Sequence, residues 1–354
     1  MENYINIIKV FAPSTVAFFF GMAFTPFLTD FLYKHKLWKK KAGKITPDGK
    51  ETPIFNSLHK EKEVGTPRMG GIVIWGSVIA TTITFWLLQT VFPSEASDKL
   101  DFVSRNQTWL PLFTLLVGSI VGLVDDILQV RPTGNSAKAG LSFYKRLAIV
   151  LALGLIGGYW FYFKLGMDSV SLPFIEEWQI GFWLVPLFVL VMVALFSSGV
   201  IDGLDGLSGG IMAIIFAAYT GIAYFQSQID LAAFCAVVTG GILAFLWFNI
   251  PPARFYMSET GILGLTTTLT VVAFLTDSVF TLPIIALPLL ITSLSVIIQL
   301  LSKKIRGRKV FLVAPLHHHF EAIGWPAYKV VMRYWVIGII CGLIGMILTL
   351  ISKF

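Results

Sequence analysis

Long apolar stretches, each near the ~20 residues a helix needs to cross a bilayer, recur along the chain at approximately 10–33, 69–91, 108–126, 147–164, 180–199, 209–226, 231–249, 261–276, 279–301 and 332–351. Within them apolar residues run on without the strict polar–apolar alternation that barrel strands require. Helices and closed barrels are the structures that satisfy backbone groups in lipid. The pattern therefore predicts an all-α, polytopic integral membrane protein of about ten transmembrane helices, organised as a single membrane domain over residues 1–354.

Composition agrees with that class. Of 354 residues 56% are hydrophobic and 13% charged, against about 25% charged in soluble domains, and the mean hydropathy is +0.78. Cys235 and Cys341 each fall inside an apolar stretch, which supports neither a disulfide framework nor a thiolate metal site. Met1 to Lys9 carries mixed charge, and the apolar run that follows contains Pro13 and reaches full spanning length. It is expected to be the first helix rather than a cleaved signal peptide.

Charge then suggests an orientation. Segments 34–68, 125–147, 250–260 and 302–333 hold 22 of the 27 Lys and Arg residues. Basic residues accumulate on the cytoplasmic side of short loops, so these segments and the 200–208 turn are expected in the cytoplasm, with both termini extracytoplasmic. The net charge of +7 is thereby a topology signal and a contact for anionic lipid or substrate phosphates. It gives no support for nucleic-acid binding.

With that threading, seven carboxylates gather on one face: Asp125, Asp126, Asp202, Asp205, Glu259, Glu321 and, in a basic loop, Asp48. A charge near hydrocarbon costs roughly 3 kcal/mol or more and usually marks a site. Adjacent carboxylates such as Asp125 and Asp126 repel, so one can accept a proton unless cations neutralise the pair. Mg²⁺ suits this role, because it binds one or two carboxylates together with substrate phosphates; a solvated helix end is the plainer reading. Asp202 and Asp205, three apart, are expected on one helix face, with Gly203 and Gly206 admitting close approach; a helix cap is the competing role for Asp205. The run His317-His318-His319 cannot chelate one metal from a helix, since neighbours point about 100° apart. It is better suited to hydrogen-bonding phosphates or handling a proton.

Taken together, Gly65-Thr66-Pro67-Arg68-Met69-Gly70-Gly71, Val124-Asp125-Asp126, Asp202-Gly203-Leu204-Asp205-Gly206-Leu207 and Ala314-Pro315-Leu316-His317-His318-His319-Phe320-Glu321 followed by Gly324-Trp325 resemble the phospho-N-acetylmuramoyl-pentapeptide-transferase family, from the first span to the tenth and in the family's order. The resemblance implies Mg²⁺-dependent transfer of phospho-MurNAc-pentapeptide from UDP-MurNAc-pentapeptide to undecaprenyl phosphate, giving lipid I and UMP at a bacterial inner membrane, by direct attack or through an aspartyl intermediate. A homodimer is left open. It further implies that Asp125 activates the lipid phosphate with Asp126 beside it, that Glu259 stands at the metal-binding position, and that His317 is the essential histidine. Lys62, Thr66, Asp202, Gly203, Leu204, Asp205, Asn249, Tyr256, His318 and His319 then fall at substrate-binding positions. This chain departs from the pattern: Met257-Ser258-Glu259 replaces Met-Gly-Asp, Phe196 and Gly199 replace asparagines, Gln129 replaces a lysine, and one extra residue separates His59 and Lys62 from Gly65. Two other readings compete. One is a related transferase using another UDP-amino sugar, and the other is an ion-coupled transporter with intramembrane carboxylates.

Overall fold

The computed structural model describes residues 2–39, 64–103, 106–131 and 140–352. Asp48, His59 and Lys62 therefore lie outside the described residues. The chain runs through α1 (Glu2–Lys34), α2 (Ile72–Val91), α3 (Glu95–Leu100), α4 (Asn106–Val130), α5 (Phe143–Tyr159), a β-hairpin (Ser169–Leu172 with Ile175–Gln179), α6 (Leu184–Ser197), α7 (Leu207–Phe225), α8 (Ile229–Asn249), α9 (Ser258–Leu275), α10 (Leu282–Ile285), α11 (Leu287–Arg306), α12 (Leu316–Ala322) and α13 (Ala327–Ile351). Ten of these helices, some extended by a tighter or wider terminal turn, are long and apolar enough to cross a membrane. The ten predicted spans are therefore present, and the protein is a multi-pass, all-helical membrane protein.

Three boundaries differ from expectation, and the first two move candidate residues. α4 continues to Val130, so Asp125 and Asp126 sit in its last turns rather than at the opening of a loop. α9 begins at Ser258, which puts Glu259 in the first turn of a helix. The ninth stretch, expected unbroken over 279–301, divides at Ala286 into α10 and α11. Pro283 and Pro288 sit at the starts of these two helices, the positions where a missing N–H costs no intrahelical bond. The segment 302–331 is also more ordered than a loop, since it includes the end of α11, all of α12 and the start of α13.

The helix α9 lies at the centre. Every one of its residues except Glu259 is buried, as expected of a helix apolar on all sides. Three of its threonines return hydroxyls to carbonyls one turn back, Thr266 to Ile262 O at 2.9 Å, Thr267 to Leu263 O at 2.8 Å and Thr270 to Thr266 O at 3.3 Å, which satisfies them inside the helix; the buried Thr268 hydroxyl has no partner among the described residues. α4 packs on α9 almost backbone to backbone, because Gly118 and Gly122 leave no room for a Cβ against Gly264 and Glu259. In lipid, where apolar surface alone does not drive helices together, such close approach supplies the packing.

The two ends of the bundle differ. At one end the hairpin is tied to the turn after α9 by Ser171 N–H donating to Asp277 Oδ1 at 2.9 Å. Gln226 and Gln228 close the same end by donating to Thr276 O and Leu275 O, and Lys9 of α1 pairs with Asp230 of α8. The other end gathers the candidate chemistry.

Candidate active site

The N-terminus of α9 organises the site. Its first N–H groups have no partner within the helix, and two carboxylates from elsewhere in the chain take them. Asp126 of α4, fully buried, accepts from Thr260 N at 3.0 Å and from Thr260 Oγ1 at 2.6 Å through Oδ2. Its other oxygen accepts from Arg68 Nε at 3.1 Å. Asp202 accepts from Ser258 N at 2.9 Å through one oxygen and from Ser208 Oγ at 2.6 Å through the other. The positive end of the helix dipole favours both anions. Ser258 itself holds φ +57, the left-handed region that glycine adopts more easily.

Between those caps Glu259 turns outward, the one residue of α9 that is not buried. It is paired with Arg146, and the same Nη1 lies 3.4 Å from Asp125 Oδ2. Asp125 also accepts from Gln129 Nε2 at 2.9 Å and from the Leu141 N–H at 2.5 Å. Three carboxylates and two guanidinium groups thus share one small region, and Arg146 bridges Asp125 to Glu259.

Arg68 reaches this region because its segment is sewn to the chain before α9. Tyr256 N donates to Pro67 O at 2.9 Å, and Gly70 N and Gly71 N donate to Tyr256 O and Met257 O. Thr66, half-buried, lies two residues before Arg68 on the same segment.

The residues Asp202 to Gly206 form a turn, not the helix face expected of a three-residue spacing. Two glycines in their sequence favour the turn over another helical turn. Gly206, at φ +79, precedes α7. Its N–H donates to Asn249 Oδ1 at 2.9 Å while Asn249 Nδ2 donates to Phe255 O at 2.9 Å. Asp205 accepts from Ala253 N at 3.3 Å, and Leu204 is buried. Asn249 and Asp205 therefore brace the turn against the 250–257 segment.

Against this turn sits α12. A Cβ at Gly203 would strike the ring nitrogens of His317 and His318, so a bare backbone is what lets the histidines approach. Both are buried, and His318 Nδ1 lies 2.8 Å from Glu321 Oε2. His319 points elsewhere: its Nδ1 accepts from Leu312 N at 3.3 Å and its ring meets Phe311. The structure thus gathers Asp125, Asp126, Glu259, Asp202, Gly203, His317 and His318 at one end of the bundle. It sets His319 to the side.

Residues 108–277, from α4 through α9, match the family model described as Glycosyl transferase family 4. A phospho-N-acetylmuramoyl-pentapeptide-transferase of Anoxybacillus flavithermus is 36% identical over 288 residues, covering 80% of this chain and 84% of the relative. The Chloroflexus aggregans protein of the same name is 33% identical over 336 residues, covering 91% and 84%. The chain belongs to the phospho-N-acetylmuramoyl-pentapeptide-transferase family.

Arg146 and Thr260 were missed in the sequence, and Arg68 was quoted there only as part of a motif. Arg146 is one of four basic residues in a basic segment, and nothing local distinguishes it. Its signal is purely tertiary. Among the described residues no three of His, Cys, Asp and Glu form a ready cage for a metal ion. The donors present are hard carboxylate oxygens with two cations already beside them. That set fits an ion that takes one or two protein carboxylates and completes its shell with substrate oxygens and water, the habit of Mg²⁺.

Proposed function

We propose that this protein transfers phospho-MurNAc-pentapeptide from UDP-MurNAc-pentapeptide to undecaprenyl phosphate, producing lipid I and UMP, with its site on the cytoplasmic face of a bacterial inner membrane and both termini outside. The observation that carries the reading is the cluster of Asp125, Asp126, Glu259, Arg68 and Arg146 at the N-terminus of α9, in a chain of this family. In the reaction an oxygen of the lipid phosphate bonds to the phosphorus attached to the sugar. The bond from that phosphorus to the UMP oxygen breaks, and UMP leaves with the electron pair.

Phosphoryl transfer asks mainly for positioning and charge neutralisation. Asp125 takes a proton from the lipid phosphate through Oδ2, the oxygen that now accepts from Gln129 at 2.9 Å and lies 3.4 Å from Arg146. Asp126 spends its oxygens on the first turn of α9 and on Arg68, so its part is to fix those two elements. Glu259 would hold Mg²⁺, which would supply neutralisation of charge on the diphosphate, and Arg146 would then release Glu259. His317 and His318, beside Gly203 and one residue from the Asp202 cap, face the sugar-phosphate side. Thr66, Lys62, Leu204, Asp205, Asn249, Tyr256 and His319 complete or brace the substrate pocket.

A competition experiment tests the donor. Purified protein with Mg²⁺, undecaprenyl phosphate and equal UDP-MurNAc-pentapeptide and UDP-GlcNAc should yield a lipid diphosphate bearing MurNAc-pentapeptide by mass spectrometry. A GlcNAc lipid as the main product would overturn the assignment, and ion flux in proteoliposomes without any lipid product would favour a transporter.

A further inference from the structure

The helix α11 is amphipathic in an inverted sense. Ile291, Leu294, Ile298, Leu301 and Ile305 form an exposed stripe that ends in Ile305, 78% exposed. The opposite face is polar and buried, with Thr292, Ser295, Gln299 and Ser302. An apolar face turned outward on a membrane helix meets hydrocarbon. The polar face grips the returning chain: Gln299 Oε1 accepts from Val310 N and Phe311 N, both at 3.0 Å, and Ser295 Oγ accepts from Leu316 N at 2.9 Å.

Five of the seven residues from 303 to 309, around the end of the stripe, are cationic, namely Lys303, Lys304, Arg306, Arg308 and Lys309, and all five are exposed. None of their side chains is hydrogen-bonded or ion-paired with a described acidic residue. Gly307, at φ +65, ends the helix, and Ser302 Oγ donates to Arg308 O at 2.9 Å. The chain therefore doubles back, and the two cations beyond the helix return beside the three in its last turn. The negative end of the helix dipole accounts for cations within that last turn. It does not account for Arg308 and Lys309.

We propose that this end of α11 and the turn after it bind the headgroups of anionic phospholipids. Apolar contact along the stripe and several cations where the helix leaves the hydrocarbon are the two components of such binding. The stripe is open to the bilayer along its length, where phospholipid is in great excess. The site is independent of the catalytic reading, because it uses none of the residues placed there.

The full-length protein in phosphatidylcholine vesicles, probed by electron spin resonance with spin-labelled phosphatidylglycerol or phosphatidylcholine, tests this. The wild type should prefer phosphatidylglycerol by about fivefold or more, what a single basic residue near the surface contributes at ~1 kcal/mol, and salt should erode the preference. Lys303→Gln, Lys304→Gln, Arg306→Gln, Arg308→Gln and Lys309→Gln combined should bring the two lipids to parity, while arginine at the three lysine positions should keep the preference. If the fivefold variant does not fold, Arg308→Gln with Lys309→Gln, both outside the helix, should lower the preference on its own. Unchanged selectivity in the Gln variants would overturn the proposal. Displacement of the label by undecaprenyl phosphate but not by unlabelled phosphatidylglycerol would overturn it as well, assigning the cluster to the acceptor.

Discussion

The residue that distinguishes this site is Arg146, because one guanidinium neutralises two of the three clustered carboxylates. A metal ion bound by Glu259, as proposed, would have to compete with it. Arg146→Gln should therefore lower the Mg²⁺ concentration needed for half-maximal turnover by roughly threefold, what releasing a partly buried ion pair of ~0.7 kcal/mol gives. A metal titration of UMP release measures this, and a rise would show that Arg146 helps to hold the metal. Asp125 makes a separate prediction. Asp125→Asn should lower turnover by roughly 100-fold or more, the usual contribution of a general base, while nucleotide binding by calorimetry stays largely intact. Near wild-type turnover would remove Asp125 from the chemistry. Asp125, Asp126 and Glu259 stand out in the sequence because acids at the ends of apolar stretches are costly. Neither the capping of α9 by Asp126 and Asp202 nor the bridge made by Arg146 stands out in this way, because both join residues more than 50 positions apart or depend on one cation among several.

Among the elements, the α4–α9 contact sets the position of Glu259, since the backbone of Glu259 lies against Gly122. Gly122→Ala should destabilise the protein by about 1–3 kcal/mol, the usual effect of overpacking, and reduce UMP release by shifting the first turn of α9. Gly76→Ala is the control, because a Cβ there meets nothing within 4 Å. Equal melting temperatures for the two variants in detergent would show that the packing tolerates the added methyl. The spans themselves are legible, because ~20 apolar residues have few alternatives in lipid. The division at Ala286 is not, since Pro283 and Pro288 fit an unbroken stretch by hydropathy and mark a break only through their backbone chemistry. The turn at Asp202–Gly206 is similar: spacing alone suggested a shared helix face, and the two glycines decided otherwise.

For the whole molecule, the gathering of Asp125, Asp126, Asp202 and Glu259 at one end makes orientation a functional matter, since a soluble nucleotide donor can reach only one face. Cysteine at Gly307 should react with an impermeant reagent only after spheroplasts are opened, and cysteine at Ser97, at the other end of the bundle, in intact spheroplasts. The reverse labelling would invert the assignment. The account rests most heavily on a metal-dependent transfer site built around the first turn of α9, and initial UMP release against Mg²⁺ concentration tests it most directly. With UDP-MurNAc-pentapeptide and undecaprenyl phosphate, the wild type should release UMP only when Mg²⁺ is present. Glu259→Asp should keep part of that activity, and Glu259→Gln, which retains size but loses the anion, should abolish it. Equal rates and equal Mg²⁺ dependence in the Gln variant, or no UMP from a folded wild-type preparation, would contradict the account.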